Sequence, residues 1–534
     1  MMKRILCALL ALFMLFAAGC GEVAENSSVT ESGSEAPAPQ KSDMQLLYCL
    51  ADSFDPYSAE TAVNRELCGL IYDPLVSLDD SFESVYALAQ SVENDGKKCT
   101  VTLKDARFTD GSAVTASDVV YSYERARASA TSAYSKQLYA VASVTASSTK
   151  TVVFSLNRVD MLFEKMLDFP ILKAGSDKIT DADGVVQPPI GCGRYKLNPE
   201  KDALIRNDEY YATRGNVSEI RLINAPDKES VSHYVEIGAT DIYFTDVSDG
   251  KIVRMSGKKI DINLNDLVYI GINESNDALR NVNMRYAISS AIDRDAICKT
   301  AYYNNAKAAS GFFHPDFKPT SSLQNLKNTN DLKIAIENLE KIGYNRLDSN
   351  GYRINSAGKY PSFTLLVNSE NAARVAAAEL IAQQLKAAGI ALKVIKQPYA
   401  QYMASLQGGA FQMYIGECRI TSNMDFSGLV VPGGSVSYGR TPVNKETDVK
   451  EPTENADDAE QPAVPATAAE IVAGFYEGRY TLNDVASVLL TELPAIPVCY
   501  KKGLLFYDPA AVDLTQASAK DIYYSDETGK RVGS

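Results

Sequence analysis

The chain has 534 residues, 46% of them hydrophobic and 22% charged, enough for two or three domain-sized cores, which excludes disorder throughout. A formal charge of -14, with no Lys/Arg-rich block, argues against a phosphate-tracking surface, so nucleic acid is not an expected partner. Only two histidines, at 233 and 314, and no tryptophan are present, so no cluster of three imidazoles can form within one chain.

Lys3 and Arg4 precede an apolar run from Ile5 to Ala18, which has the length of a signal-peptide core and is short for a membrane span. Residues 1–19 are read as a cleaved signal peptide. Ala17-Ala18-Gly19-Cys20 resembles a bacterial lipobox, which implies a diacylglycerol on Cys20 and a cell-membrane location on the extracytoplasmic face. Residues 20–43, rich in Ser, Glu, Ala and Pro, bury too little to fold and read as a flexible tether reaching on the order of 25 Å. Beyond Cys7 and Cys20 the cysteines stand at 49, 68, 99, 192, 298, 418 and 499, an odd number with no CxxC pair. Neither a zinc ribbon nor a complete disulfide framework follows, and buried small hydrophobes are the simplest reading.

From Met44 the sequence is patterned. Residues 44–58 give a strand that exits at Asp55-Pro56, and residues 61–79 read as helical. Residues 101–129 read as an alternating strand, a turn at Asp110-Gly111, and a helix with Thr115 as N-cap and Asp118 three residues on. A helix starting at Asp331 is expected to bury Leu332, Ala335, Ile336, Leu339 and Ile342 and to stop at Gly343. Residues 361–369 alternate like a strand, residues 371–389 place Ala377, Ala378, Ile381, Leu385 and Ala388 on one helical face, and residues 390–397 form another strand. This is a βαβ unit with parallel strands, and open α/β sheets bind ligands beyond their strand ends. Residues 434–468 lack periodicity and are read as a disordered insertion, after which residues 481–509 return to a helix and a strand that must rejoin a sheet begun much earlier.

The segments Tyr72-Asp73-Pro74-Leu75-Val76-Ser77-Leu78-Asp79 and Phe108-Thr109-Asp110-Gly111 through Thr115-Ala116-Ser117-Asp118-Val119 resemble the signature of the family 5 extracellular solute-binding proteins, the peptide- and nickel-binding receptors of ABC importers. PPIGCGRYKL (188–197), DLVYIGINES (266–275), VNMRYAISSAIDRDAI (282–297), LEKIGY, QLKAAGIAL and LPAIPVCY follow in the family's order. The resemblance implies an α/β, two-lobed periplasmic-binding-protein (Venus-flytrap) fold of type II, large cluster, with an extra N-terminal subdomain. It implies lobe I over 44–262 with an inserted subdomain at about 57–187, lobe II over 263–490, and return strands over 491–534, with hinges near 263–270 and 488–494. It also implies a monomer that captures a peptide or other small polar solute and hands it to the permease's transmembrane subunits. A nickel or metal-chelate receptor, or a ligand sensor for a signalling partner, are the alternatives.

By the same analogy Ser53, Phe54 and Asp55 face the cleft after the first strand, and Asn273 ends the strand of residues 267–273. Glu417, Arg419 and Asp425 form a charged cluster in the segment where the peptide receptors carry an Asp for the peptide's α-ammonium; the aligned position here holds Ile420. Arg419 beside it offers a planar fork of donors, which suits a carboxylate or phosphate. HExxH, GxSxG and Walker A patterns are absent, the GCG at 191–193 lacks the third glycine of a dinucleotide fingerprint, and no catalytic residue, metal ligand or cofactor is nominated.

Overall fold

Two long strands, Lys258–Ile272 and Ala495–Tyr507, pair antiparallel and run through two separate hydrophobic cores. The computed structural model describes residues 44–129, 134–213, 217–247, 253–323, 330–441 and 467–523. The segment read as signal peptide, Cys20, the tether and residues 442–466 of the expected disordered insertion lie outside the described residues, whereas its ends, 434–441 and 467–468, are ordered: Arg440 pairs with Glu274 and Glu492, and Thr467 caps the helix Ala468–Tyr476. Among the described residues no helix is long and apolar enough to cross a membrane.

In Ala495–Tyr507 every residue except Lys502 is buried, as a central strand covered on both faces requires. The burial of Lys258–Ile272 alternates at first and becomes continuous from Asp266, so its first part is covered on one face and its last part on both. The first core is built from residues such as Leu46, Leu67, Val101, Phe154, Ile220, Ile262 and Leu505. The second takes Val268, Ile297, Leu365, Ile381, Ile415, Val472, Leu489 and Ile496. The change from one core to the other falls after Ile262 in the first crossing strand and after Tyr500 in the second. There the pairing slips: Asn263 pairs with Lys502 and Leu267 with Tyr500, so Leu264, Asn265 and Asp266 stand opposite Lys501 alone. Extra residues on one strand bend and twist it, which turns the ladder between the lobes.

The crossing strands lie within a seven-stranded mixed sheet that continues through Met413–Arg419, Ser362–Asn368 and Ala391–Gln397. The last two are parallel and are joined by the helix Ala372–Ala387, whose buried face is Ala377, Ala378, Ile381 and Leu385, with Ala388 buried just beyond. The first core is served by two four-stranded sheets. One adds Glu219–Asn224 parallel to Met44–Tyr48, and the other pairs Ala89–Asn94, Lys98–Leu103, Thr151–Leu156 and Val141–Ala146. Thr115 precedes the helix Ala116–Ala128, its N–H donating to the Asp118 carboxylate at 2.9 Å. Of the residues expected to be buried on the helix Leu332–Lys341 and at its end, Ala335 and Leu339 are, Ile336 and Ile342 are half-buried, and Leu332 in the first turn is 38% exposed.

The hairpin Val76–Leu78/Ser84–Tyr86 ties the lobes a second time. At its tip Phe82 belongs to the second core and packs 4.9 Å from the His314 ring, while its carbonyl accepts from Lys165 Nζ at 2.6 Å. Burial pushes the His314 pKa down to about 3, so this imidazole is a neutral packing group.

Between Lys258–Ile272 and Met413–Arg419 the register places Tyr269 opposite Gly416 and Gly271 opposite Tyr414. Each tyrosine ring lies over the facing glycine; a Cβ on Gly271 would come within 2.1 Å of the Tyr414 ring. The two hydroxyls both reach the Val436 carbonyl, at 3.3 and 3.0 Å. The buried ring has no room to give, so Gly271→Ala is expected to lower the unfolding free energy by about 1–3 kcal/mol, read as a reduced urea midpoint. An unchanged midpoint would mean that the rings are not held by the glycines.

Candidate functional site

The parallel strands Ser362–Asn368 and Met413–Arg419 end at the place where the crossing strands pass from one core to the other. Carboxyl ends of strands in an open α/β sheet are where ligand contacts concentrate. Glu417 and Arg419, two residues apart, point to one face of the sheet, and Val268 and Cys499 lie in register with Glu417 on the neighbouring strands.

Glu417 accepts from Lys501 Nζ at 3.0 Å and lies 3.6 Å from Arg374 Nη2. Each partner is brought by a different element. Lys501 comes from the second crossing strand, and Arg374 from the first turn of Ala372–Ala387, where the Asn371 cap accepts the Arg374 N–H at 2.9 Å. Tyr302, just after the helix Arg294–Thr300, is 8% exposed; its hydroxyl and Arg374 Nε are buried without a hydrogen-bond partner. Burial drives the Tyr302 phenol well above its ordinary pKa, with Cys499 and Glu417 adding to the effect, so it stays a neutral donor. Two cations against one carboxylate leave an excess of positive charge and unused donors, an arrangement that an anionic acceptor satisfies.

Arg419 forks onto the buried Asp266, Nε to Oδ1 at 2.7 Å and Nη2 to Oδ2 at 2.9 Å, and lies 3.9 Å from Asp246 of the first lobe. The bulge in the first crossing strand places Asp266 for this bidentate pair. Ile420 is buried in the second core.

Asp425 spans the lobes. Its Oδ2 accepts from Arg158 Nη2 and from the Tyr139 hydroxyl, both at 2.8 Å, and its Oδ1 from the Ser427 N–H at 2.8 Å. The Arg158 guanidinium lies 3.5 Å from the Tyr476 ring centroid and 4.6 Å from that of Tyr139. Burial opposes the Asp425 charge, but Arg158 and the Ser427 donors outweigh it and hold the carboxyl below its ordinary pKa. Beside this pair Asn423 Nδ2 donates to Asp160 Oδ2 at 2.6 Å. Burial pushes Asp160 up to about 6 against that hydrogen bond and against Arg158.

The other candidates lie apart. Ser53 Oγ accepts the Asp55 N–H at 2.9 Å, Phe54 is buried against Tyr48, and Asp55 pairs with Arg125, which also meets Asp177 at 3.1 Å. Asn273 donates to the carbonyls of Gly409 and Phe411 at 3.2 and 2.8 Å and accepts the Ser275 N–H at 3.0 Å, which uses its amide on the loop at the other end of the strand pair. That end is about 20 Å from Arg419 at the rise of an extended strand. Sequence reasoning did not nominate Arg374, Lys501, Tyr302, Asp266 or Arg158. Arg374 alone carried a usable signal, as the cation in the first turn after a parallel strand.

The sequence profile of the bacterial extracellular solute-binding proteins, family 5 (middle portion), matches residues 83–430, well over half of the chain. The oligopeptide-binding protein AppA of Bacillus subtilis is 25% identical over 416 residues, 73% of this chain and 75% of that protein. A solved structure titled as a nickel ABC transporter from Bacillus halodurans superposes with a TM-score of 0.70 at 18% identity, covering 90% of this chain and 98% of that one. NikA from Brucella suis, in complex with Fe(III)-EDTA, superposes with a TM-score of 0.62 at 18% identity, covering 89% and 96%. These likenesses show the two-lobed type II fold.

Asp160 gives a pH test of the contact between the lobes. Its folded pKa is raised above the unfolded value, so it favours the folded state at low pH, and this contribution is lost as pH rises through about 6. Asp160→Asn mimics the protonated acid. Its stability relative to the parent is expected to increase between about pH 4 and about pH 7 by up to ~3 kcal/mol in urea titrations. A difference that stays constant over that interval refutes the assignment.

Proposed function

The chain belongs to family 5 of the bacterial extracellular solute-binding proteins, and we propose that it is the lipid-anchored receptor of an ABC importer for a small polar solute that carries an anionic group, such as a peptide carboxylate. The family binds solutes for transport and performs no chemistry on them. The carrying observation is the Arg374–Glu417–Lys501 cluster with the Tyr302 hydroxyl, set at the strand ends where the two cores meet. Arg419, Asp425 and Glu417 line the same region, and in this reading the solute lies between them and the first lobe.

The mechanism rests on differential contact. A solute held by the second lobe alone does not favour closure; one that also reaches the first lobe does, and the population shifts by that added affinity. Arg158–Asp425 and Asp160–Asn423 already join the lobes, so closure is assisted by protein contacts and the solute supplies the remainder. The closed form is what the permease receives. The protein acts as a monomer, held to the membrane by a diacylglycerol on Cys20.

Native mass spectrometry of the body from about residue 43 onward, as purified and after unfolding and refolding, tests the reading. A discrete added mass that leaves on refolding, and that fragments as a carboxylate-bearing solute, is expected. A bare mass in both states, together with no binding to any of a panel of peptides and organic acids, overturns it. With the solute in hand, Arg374→Gln and Lys501→Gln should each weaken binding by about tenfold or more, as the loss of a charge-assisted hydrogen bond implies. Cys20→Ser should release the protein from the membrane fraction; retention there removes the lipid anchor.

A further inference from the structure

The hairpin that reaches from the first core into the second also grips the joint between them. Asn263 is the last residue of the first crossing strand to pair before the slip, and Met413–Arg419 joins that strand only from Asp266 onward. The Asn263 N–H donates to Asp80 Oδ1 at 2.7 Å, and its side-chain Nδ2 donates to the Asp80 carbonyl at 2.9 Å and to Asp316 Oδ2 at 2.7 Å. Asp80 stands in the turn of the hairpin Val76–Leu78/Ser84–Tyr86, whose root at Leu75 and Val76 belongs to the first core. Asp316 stands in a loop of the second lobe, where Phe312, Phe313 and Phe317 belong to the second core. One asparagine at the crossing point therefore holds a hairpin rooted in one lobe and a loop of the other.

Asp80 and Asp316 bracket this asparagine, and the cations around them are committed elsewhere. Lys307, on the short strand Ala306–Ala308 beside the second crossing strand, donates to both Asp316 oxygens at 2.6 Å. Lys502 of the second crossing strand and Lys259 of the first pair with Asp261 at 3.1 and 3.2 Å, and Lys165 donates to the Phe82 carbonyl at 2.6 Å. His314, a neutral ring, accepts the Asp316 N–H at 3.1 Å. On the hairpin itself, Asp79 Oδ1 accepts the N–H groups of Ser81 and Glu83 at 2.8 and 2.9 Å. Among the described residues the Asp80 carboxylate thus takes one hydrogen bond, from a neutral amide, while Asp79 precedes it and Asp316 shares its partner. Like charges so placed resist ionising together. Burial pushes the Asp80 carboxyl up to about 7; the Asn263 N–H opposes this, Asp316 and Asp79 add to it, and Lys307 opposes it again.

We propose that the Asp80–Asn263–Asp316 clasp is a proton-sensitive hinge lock: with Asp80 neutral the hairpin tip, the crossing strand and the second-lobe loop are held as one, and ionisation of Asp80 loosens them and frees the lobes to turn. The direction follows from linkage. Asp80 in the assembled clasp binds its proton more tightly than a hydrated carboxyl does, so the proton favours assembly at low pH, and that contribution is lost as pH rises through about 7. The ladder between the crossing strands does not depend on Asp80, so the lobes stay joined in either state and only their freedom to reorient changes. The hinge is therefore stiffer in acid surroundings and looser in alkaline ones.

The test is amide hydrogen exchange on the full chain, freed of solute by unfolding and refolding, read at Asn263 by electron-transfer fragmentation and corrected for the intrinsic effect of pH on exchange. Protection of the Asn263 N–H is expected to fall about tenfold between about pH 6 and about pH 8, as release of one proton implies. Small-angle scattering over the same interval is expected to show a larger radius of gyration at the higher pH. Asp80→Asn, which keeps an acceptor for the Asn263 N–H and cannot ionise, should show neither change. Asp316→Asn, which keeps an acceptor for Asn263 Nδ2 and removes a facing charge, should move the fall to lower pH. Protection that does not vary with pH in the parent overturns the proposal, as does a fall of equal size in Asp80→Asn or a parent scattering curve that is the same at both pH values. If Asp80→Asn does not fold, Asp316→Asn decides: a fall that stays in place or moves to higher pH refutes the lock. Solute plays no part in these readouts, so the proposal stands or fails separately from the transport reading.

Discussion

The antiparallel pairing of Lys258–Ile272 with Ala495–Tyr507 is the constraint on which the rest depends. Two hydrophobic cores, each large enough to fold around its own layers, share this ladder, and the slip opposite Lys501 lets one strand turn relative to the other as they leave the first core. Without the two extra residues among Leu264, Asn265 and Asp266 the ladder would continue straight, and the carboxylate that holds Arg419 would not stand at the boundary. The same slip puts Lys501 beside Glu417. Backbone geometry at the joint therefore fixes the charges that line it.

Those charges are held by pairing that is nearly complete but not balanced. Arg419 and Asp266 neutralise one another in a bidentate fork, and Arg158 and Asp425 do so across the lobes, supported by two aromatic rings. Partly buried pairs of this kind contribute less to stability than to specificity, because much of their attraction offsets desolvation. The Glu417 cluster differs, with two cations, one carboxylate and a phenol that lacks an acceptor. A buried donor without a partner carries a desolvation cost that an incoming acceptor would offset, which is why the proposed reading places the solute's anionic group there.

Local signals in the sequence were enough for the βαβ unit of residues 361–397, because Ala377, Ala378, Ile381 and Leu385 repeat at helical spacing and Gly389 closes the helix. Thr115 with Asp118, and Asp331 before its helix, were readable for the same reason: a cap is made by residues a few positions apart. Leu332 was misjudged because helical periodicity assigns a face but not which turns of it are covered by the rest of the fold. Asn273 was singled out because an amide at a strand end suits a ligand, yet the loop of residues 409–411 uses that amide, and nothing near Asn273 in the sequence announces it. Asp55 was similarly taken up by Arg125, a long-range partner.

By itself the sequence determined the family, the two-lobed α/β class and the charged segment that carries Glu417, Arg419 and Asp425, since these rest on motif order and on residues written next to one another. Tertiary structure decided which of those charges remain available. Arg374 and Lys501 converge on Glu417 from a helix and a strand distant in sequence, and Asp266 claims Arg419 through a register slip. The physical reason is that an ion's role is set by the charges within a few ångströms of it and by its burial. Chain order does not fix either until the crossing strands have been paired.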